Sequence, residues 1–534
     1  MILRHKAFGL DCTNPNKPNK SWGGLIECEI RYINNKLFIV CIVISIKEMY
    51  NIINKNVDNK NVEKGNIMFI GRDNELKTLK NKFDSNNLEV GLIYGQRRIG
   101  KTSLIIKSAE KYKNIYFLSK DTTYSDNLSH FSNVVKDFLE SSLPVRFESI
   151  DEIFNFLKDY AKKEKLVLII DELPFLAHVY PGIISFLQGY IDELNRLNVA
   201  MKLILSGSDI SFMLDLLKNK AKPLYQRATF QIHVLPMLFS DAVKMLDGFN
   251  SEDKVRYLSI FGNRPYYLEK LDNKQTFDQN ITRLCFSSDS ILIDAPNLTL
   301  PIGYSNNGTY IAILTAIANR KHRVKEISDE LHIDSNALAT YLKRMVDGES
   351  IEKRETFNGN QKTNYYEISD PMIRFYYGLI YPNLEDIERR LGKEIYLVNN
   401  EKINSFIEHG FEDVVNSYMD EQNSKGRFKY VYHSFKKFVV DNSILGRSIE
   451  IDGLAESLNK KHLAVIEAKY RNKDVSMKIL SQLKESASIF AEQYNSVDYY
   501  IFSKTSFADD LAKSNDPSVK LISLKDMLQL DSSD

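Results

Sequence analysis

The sequence predicts an α/β protein built on a parallel sheet with helices on both faces, and three observations carry that expectation. Short Val/Ile/Leu runs alternate with amphipathic stretches from Glu89 to Leu235, the pattern of buried strands separated by covering helices. One run leads directly into Gly95-Gln96-Arg97-Arg98-Ile99-Gly100-Lys101-Thr102, a glycine-bracketed turn that ends in Lys-Thr. Another ends in the acidic pair Asp171-Glu172. Sheets of this kind gather ligand chemistry at the carboxyl ends of their strands, so turn and acidic pair are expected at one edge.

In chain order, Glu89–Tyr94, Ile115–Leu118, Leu166–Ile170, Lys202–Leu205 and Phe230–Leu235 read as strands. Thr102–Tyr112, Leu128–Leu139, Ile153–Lys163 and Ile183–Leu197 read as helices. Residues 68–235 form the expected sheet domain, and residues 236–305, which lack strand runs, a helical lid. Within 306–380, a helix at Val324–Leu331, a turn at His332–Asp334 and a helix at Asn336–Val346 capped by Ser335 come first. Strands Ile351–Thr356 and Thr363–Ile368 follow, flanking the turn signal Asn358-Gly359-Asn360. Helix, turn, helix and two-stranded wing make a winged helix-turn-helix. Residues 400–534 read as a second α/β domain: a helix, strands, then more helix.

A chain of 534 residues exceeds one core and suits three or four domains of about 150 residues each. With 43% hydrophobic and 26% charged residues it is not disordered throughout. Lys+Arg number 71 against 70 Asp+Glu, which excludes a uniformly basic nucleic-acid wrapper but not a local basic patch. Cys12, Cys28, Cys41 and Cys285 form no CxxC pair and no disulfide framework, so a reducing cytoplasm is the expected location. The apolar run Leu37–Ile46 is shorter than the ~20 residues of a membrane span and reads as a strand. Residues 1–67, Asn- and Lys-rich, are either an extension of unknown role or lie ahead of an alternative start at Met68.

The residue types of the glycine-bracketed turn explain a triphosphate site. Glycines let backbone N–H groups wrap phosphates at a helix N-terminus, and Lys101 adds a point charge. The Thr102 hydroxyl and Asp171 are the expected Mg²⁺ ligands, and Glu172 the general base for the attacking water. Ser206, at the end of the fourth strand, is placed to sense the terminal phosphate. Arg227, just before the fifth, is a candidate arginine finger in its own or a neighbouring subunit of a homo-oligomer. The expected cofactors are ATP and Mg²⁺.

Three further segments carry a family resemblance. Phe69-Ile-Gly71-Arg72-Asp-Asn-Glu75-Leu76 resembles the FxGRxxEL segment ahead of the phosphate loop in prokaryotic ATPases related to the AAA+ and STAND groups. Gly262-Asn-Arg-Pro265-Tyr-Tyr-Leu268 resembles their lid segment, with Arg264 standing where the family is often richer in glycine, and Tyr365–Phe375 the stretch closing their winged helix. Together, over residues 68–500, they resemble an archaeal ATPase family with a C-terminal restriction-endonuclease-like PD-(D/E)XK domain. The resemblance implies that Gly71 and Arg72 lie close to the adenine.

Lys343, Arg344, Arg354 and Lys362, with Arg320, Lys321, Arg323 and Lys325, give the winged helix cations suited to double-stranded DNA, chiefly its phosphates. Winged helices also serve as protein-docking spacers, so this reading competes with a non-DNA one. In the last domain, Ser448–Asp452 alternates like a strand, and Ala464-Val-Ile-Glu467-Ala-Lys469 gives a second strand with E-x-K. Glu467 and Lys469 share a face because side chains alternate along a strand. Asp452 and Glu467 on neighbouring strands are candidate Mg²⁺ ligands, Lys469 a candidate for holding water or transition-state charge, and Glu412 a fourth member. This resembles the D…ExK signature of restriction-endonuclease-like nucleases. The expected function is an ATPase coupling nucleotide state to DNA binding and a nuclease-like domain. The alternatives are a signalling switch or a DNA-loading ATPase with an inactive C-terminal domain.

Overall fold

The fully apolar run Val90–Ile93 and its counterparts pair only with one another. The computed structural model describes residues 69–140, 146–220, 222–301, 303–354, 364–442 and 447–529. Strands β1 (Glu89–Tyr94), β2 (Asn114–Leu118), β3 (Val167–Asp171), β4 (Lys202–Gly207) and β5 (Phe230–His233) form an all-parallel sheet in the order β2-β3-β4-β1-β5. Every residue of β1, β3 and β4 is buried, as a sheet covered on both faces requires. Because β4 lies between β1 and β3, the phosphate loop, the end of β4 and the acidic pair converge on one edge.

The helices differ from expectation mainly at their ends. Tyr124–Phe138 begins four residues before the expected Leu128, because Thr123 accepts from the Asp126 N–H and caps it there. Short helices at Leu173–Val179 and Ile210–Lys218 were not visible as periodic runs. After the sheet come helices Phe239–Met245, Ser251–Phe261, Pro265–Leu268 and Phe277–Cys285.

Helices Gly308–Ala318, Val324–Leu331 and Ser335–Asp347 then lead into an antiparallel ribbon of β6 (Ile351–Arg354) and β7 (Tyr365–Ile368). Here the cap differs. Asp334, not Ser335, accepts from the Asn336 and Ala337 N–H groups, while the Ser335 hydroxyl bonds Ser328. The carboxylate stands one residue earlier on extended backbone and is as good a cap as serine. The turn Asn358-Gly359-Asn360 and Lys362 lie outside the described residues, as do residues 1–67 with Leu37–Ile46 and the first three cysteines.

A second five-stranded sheet ends the chain: β8 (Lys436–Asn442), β9 (Arg447–Glu456), β10 (His462–Lys469), β11 (Ser496–Ser503) and β12 (Val519–Ser523), in the order β12-β11-β10-β9-β8. Strands β8, β9 and β10 run antiparallel, and β10, β11 and β12 parallel. The long helix Asn400–Ser424 packs on this sheet and also along Ser251–Phe261. Gly410 permits that approach, since a Cβ there would stand 2.5 Å from the Ser259 carbonyl oxygen. One apolar core therefore runs from Phe239 through Ile313, Leu342 and Phe375 to Phe411, Ile466 and Met527. Among the described residues no helix is long and apolar enough to cross a membrane.

Candidate functional site

Strand β1 delivers the chain into the loop Gly95–Gly100, and the helix Lys101–Ala109 leaves from it. A side chain on Gly95 is excluded, since its Cβ would stand 2.3 Å from the Val234 carbonyl oxygen. Lys101 is buried, and its ammonium donates to the Gly95 (3.0 Å) and Gln96 (2.9 Å) carbonyls. Burial pulls its pKa below the ordinary lysine value, against the opposing pull of Glu172 and Asp171. The Thr102 hydroxyl donates to Asp171 Oδ2 at 2.8 Å, and the Tyr116 hydroxyl to the same oxygen at 2.8 Å. Lys101 and Thr102 thus share one edge of the sheet with Asp171, 69 residues from Thr102.

Glu172 stands beside them on left-handed backbone (φ 54°). Its Oε2 accepts from the Ser208 hydroxyl (2.8 Å) and the Ser208 N–H (3.1 Å). The hydroxyl that engages the acidic pair therefore belongs to Ser208. Ser206, expected to sense the terminal phosphate, is inside β4, wholly buried and with no hydrogen-bond partner for its hydroxyl among the described residues. The Arg227 guanidinium, expected to reach a phosphate of its own or a neighbouring subunit, makes two 2.9 Å contacts with Asp192.

The other loop side chains diverge. Arg97 reaches the Ser208 hydroxyl at 3.4 Å, and Arg98 lies over the Tyr266 ring, 4.7 Å from its centroid. Ile99 is buried. Arg72, next to Gly71, donates to the Ile99 carbonyl at 3.1 Å and pairs with Glu75 at 3.2 Å, which fixes the Gly71-Arg72 segment against the loop. Sequence reasoning missed the partners of Gln96. Its amide donates to the Glu349 carbonyl and accepts from Arg264, whose Nε lies 3.1 Å from Asp370. These contacts span 253 and 168 residues, and nothing local signals them.

The second cluster sits where β9 and β10 meet the helix Asn400–Ser424. Asp452 Oδ2 accepts from the Ala468 N–H at 2.8 Å and lies 3.4 Å from the Lys469 ammonium, which also pairs with Glu467 at 2.5 Å. Glu412 pairs with Lys437 at 2.9 Å, and Lys437 also touches Glu450. Burial, then the Asp452 charge, pushes the Glu467 carboxyl up to about 7 and Glu412 up to about 8. Asp452, Glu467, Lys469 and Glu412 thus lie within electrostatic reach of one another. Among the described residues, no group of three His, Cys, Asp or Glu is arranged to hold a metal ion.

On and just ahead of the helices Val324–Leu331 and Ser335–Asp347, Arg320, Lys325, Lys343 and Arg344 are exposed. Arg354, expected among the DNA-facing cations, is instead half-buried and paired with Glu367 at 2.9 Å, a further correction. The ribbon's inner face is covered by the C-terminal unit: the Tyr365 hydroxyl donates to the Lys437 carbonyl at 2.8 Å.

A parallel sheet whose first strand opens a glycine-bracketed loop, with Thr102 and Asp171 in contact beyond it, defines a P-loop NTPase. A description reading "ATPase domain predominantly from Archaea" matches residues 69–271, and one of archaeal and bacterial proteins of unknown function matches residues 376–481. An uncharacterized protein of Methanocaldococcus jannaschii is 33% identical over 411 residues, covering 76% of this chain and 88% of that protein. The chain belongs to this family of archaeal P-loop ATPases. Among solved structures, the Walker-type ATPase of Pyrococcus abyssi is similar over 58% of this chain and 96% of its own, with 18% identity and a TM-score of 0.47. The Aeropyrum pernix ORC2 protein in its ADPNP–ADP complexes is similar over 62% of this chain and 98% of its own, with 13% identity and a TM-score of 0.40.

Proposed function

We propose that the protein is an ATP-binding, Mg²⁺-dependent P-loop ATPase whose nucleotide state is transmitted to a DNA-contacting winged helix and a nuclease-like C-terminal domain. The observation carrying the reading is the convergence at the sheet edge of buried Lys101, the 2.8 Å Thr102–Asp171 contact and the Ser208-held Glu172. A hydroxyl and a carboxylate side by side fit Mg²⁺, which takes few protein oxygens and keeps waters and phosphates as its other ligands. When bound, the ion neutralises charge on the phosphates and orients the terminal group. Lys101, released from the Gly95 and Gln96 carbonyls, pairs with phosphate oxygens. Glu172, positioned by Ser208, accepts the proton of the attacking water.

Exposed Lys343 and Arg344 on the helix Ser335–Asp347 support the DNA reading, as does the pairing of Asp452, Glu467 and Lys469 on adjacent strands β9 and β10 for the nuclease reading. A second reading, a nucleotide-driven switch or DNA loader without cleavage, is favoured by the lysines Lys437 and Lys469 already neutralising the carboxylates. Plasmid cleavage with Mg²⁺ or Mn²⁺, with and without ATP, separates the two. Nicking that is lost in Asp452→Ala supports the nuclease. Nicking that persists in this variant, or none in the wild type, leaves the switch.

A further inference from the structure

We infer that Gln96 is a latch that ties the phosphate loop to the helix-turn-helix and opens when nucleotide binds. The inference rests on reading this loop as the ATP site and specifies how its occupancy is passed on. Gln96 is the one loop residue whose side chain and backbone face opposite tasks. Its carbonyl accepts from the Lys101 ammonium at 2.9 Å. Its side-chain amide is held at both ends, donating to the Glu349 carbonyl and accepting from the Arg264 guanidinium.

Both partners belong to the elements that would have to move. Glu349 lies in the turn between the helix Ser335–Asp347 and β6. Arg264, buried at the start of the helix Pro265–Leu268, lies 3.1 Å from Asp370. Asp370 in turn caps the helix that follows the ribbon, accepting from the Met372 N–H at 2.9 Å, and takes the Tyr267 hydroxyl at 3.1 Å. A single amide therefore joins the phosphate loop to the turn before the ribbon and, through Arg264 and Asp370, to the residue that caps the helix after it.

The turn itself is held in an unfavourable state. Glu349 adopts left-handed backbone (φ 55°), a conformation disfavoured for a non-glycine residue. Its carboxylate is anchored 3.2 Å from His233, whose ring stacks on Tyr94 at the end of β1. This places an acidic side chain and a carbonyl over a loop built to receive phosphates. A triphosphate draws Lys101 away from the Gln96 carbonyl and repels the Glu349 carboxylate, so the arriving anion acts on both sides of the amide. The arrangement seen is the latched one, and nucleotide affinity is reduced by the fraction of molecules that stay latched.

The test compares wild type, Gln96→Leu and Arg264→Lys by equilibrium binding of a non-hydrolysable ATP analogue and by hydrogen exchange in peptides spanning residues 341–354. In wild type, the analogue should raise exchange in that segment. Gln96→Leu should bind the analogue about five- to tenfold more tightly, because two hydrogen bonds no longer hold the latched state, and show fast exchange with or without it. Arg264→Lys, which keeps the charge beside Asp370 but loses the planar fork, should shift both readouts the same way, less strongly. Unchanged or weaker binding in Gln96→Leu, with exchange in 341–354 still responding to the analogue, overturns the latch. A wild type that binds no analogue overturns the ATP reading and the latch together.

Discussion

The two ionic centres of this molecule hold their lysines differently. Lys101 is bound only by two backbone carbonyls, and its positive charge has no ion-pair partner among the described residues. Lys469 and Lys437 are each paired with carboxylates, Asp452 and Glu467 for the one, Glu412 and Glu450 for the other. A buried ammonium held by neutral dipoles is poised for an anion, because exchanging carbonyls for phosphate oxygens improves its electrostatics. An ammonium between carboxylates is already neutralised, and any cation entering there must displace it. The first centre holds a cation open to an anionic ligand, while in the second the charges are paired with one another.

The largest expected effect breaks the first half of that contrast. Lys101→Ala should weaken ATP binding about a thousandfold, because the phosphates then meet no buried cation. Isothermal titration measures it, and ATP affinity within about threefold of wild type would show that Lys101 is structural. The next tests the second half. Lys469→Met should destabilise the C-terminal unit by about 3 kcal/mol by leaving Asp452 and Glu467 buried and facing each other. If these carboxylates can share a divalent ion, millimolar Mn²⁺ should restore part of that loss in a thermal melt of the variant and do little to wild type. Equal response of both proteins would deny them that role.

The third concerns Glu172. Glu172→Gln should keep ATP binding and lower the hydrolysis rate about a hundredfold, within the range a general base supplies. Ser208→Ala should do the same more weakly, since it only positions Glu172 through the 2.8 Å bond. A KM rising while kcat stays unchanged in either variant would place Glu172 in ground-state binding instead.

How much of this was legible in the sequence depended on whether the information was local. The phosphate loop is eight consecutive residues after a strand, so its residue types and its helix announce it together. Asp171 and Glu172 could be placed near the loop because parallel buried strands end at one edge. Ser206 was expected at the open end of the strand because the apolar run stops at Leu205, whereas β4 runs through Gly207 and keeps Ser206 inside the sheet. Arg354 was assigned outward because a two-stranded ribbon has two faces, and the sequence does not say that Tyr365 and Lys437 close one of them. Gln96, Arg264 and Glu349 carry no local pattern at all. Their meeting is a product of how the helix Pro265–Leu268 and the ribbon pack on the loop.

The smallest effect offers a probe of the first sheet alone. His130, on the helix Tyr124–Phe138, packs beside Phe117 with ring centroids 5.6 Å apart. Burial, with a smaller push from the Lys120 charge, lowers its pKa from the ordinary 6.5 to about 4. Between about pH 4 and 6.5 the unfolded chain therefore binds a proton that the folded chain refuses, and stability rises with pH across that window. The contribution is complete above 6.5 and is lost as pH falls through 4. The shift would amount to about 3 kcal/mol for a fully shielded ring, and partial exposure reduces it to about 1–2 kcal/mol. His130→Gln should flatten the melting temperature against pH by that amount relative to wild type. Because the change is confined to the sheet carrying the phosphate loop, the Lys469→Met deficit should add to it without coupling. Non-additivity beyond about 0.5 kcal/mol would mean that the two centres, unlike as they are, are energetically coupled.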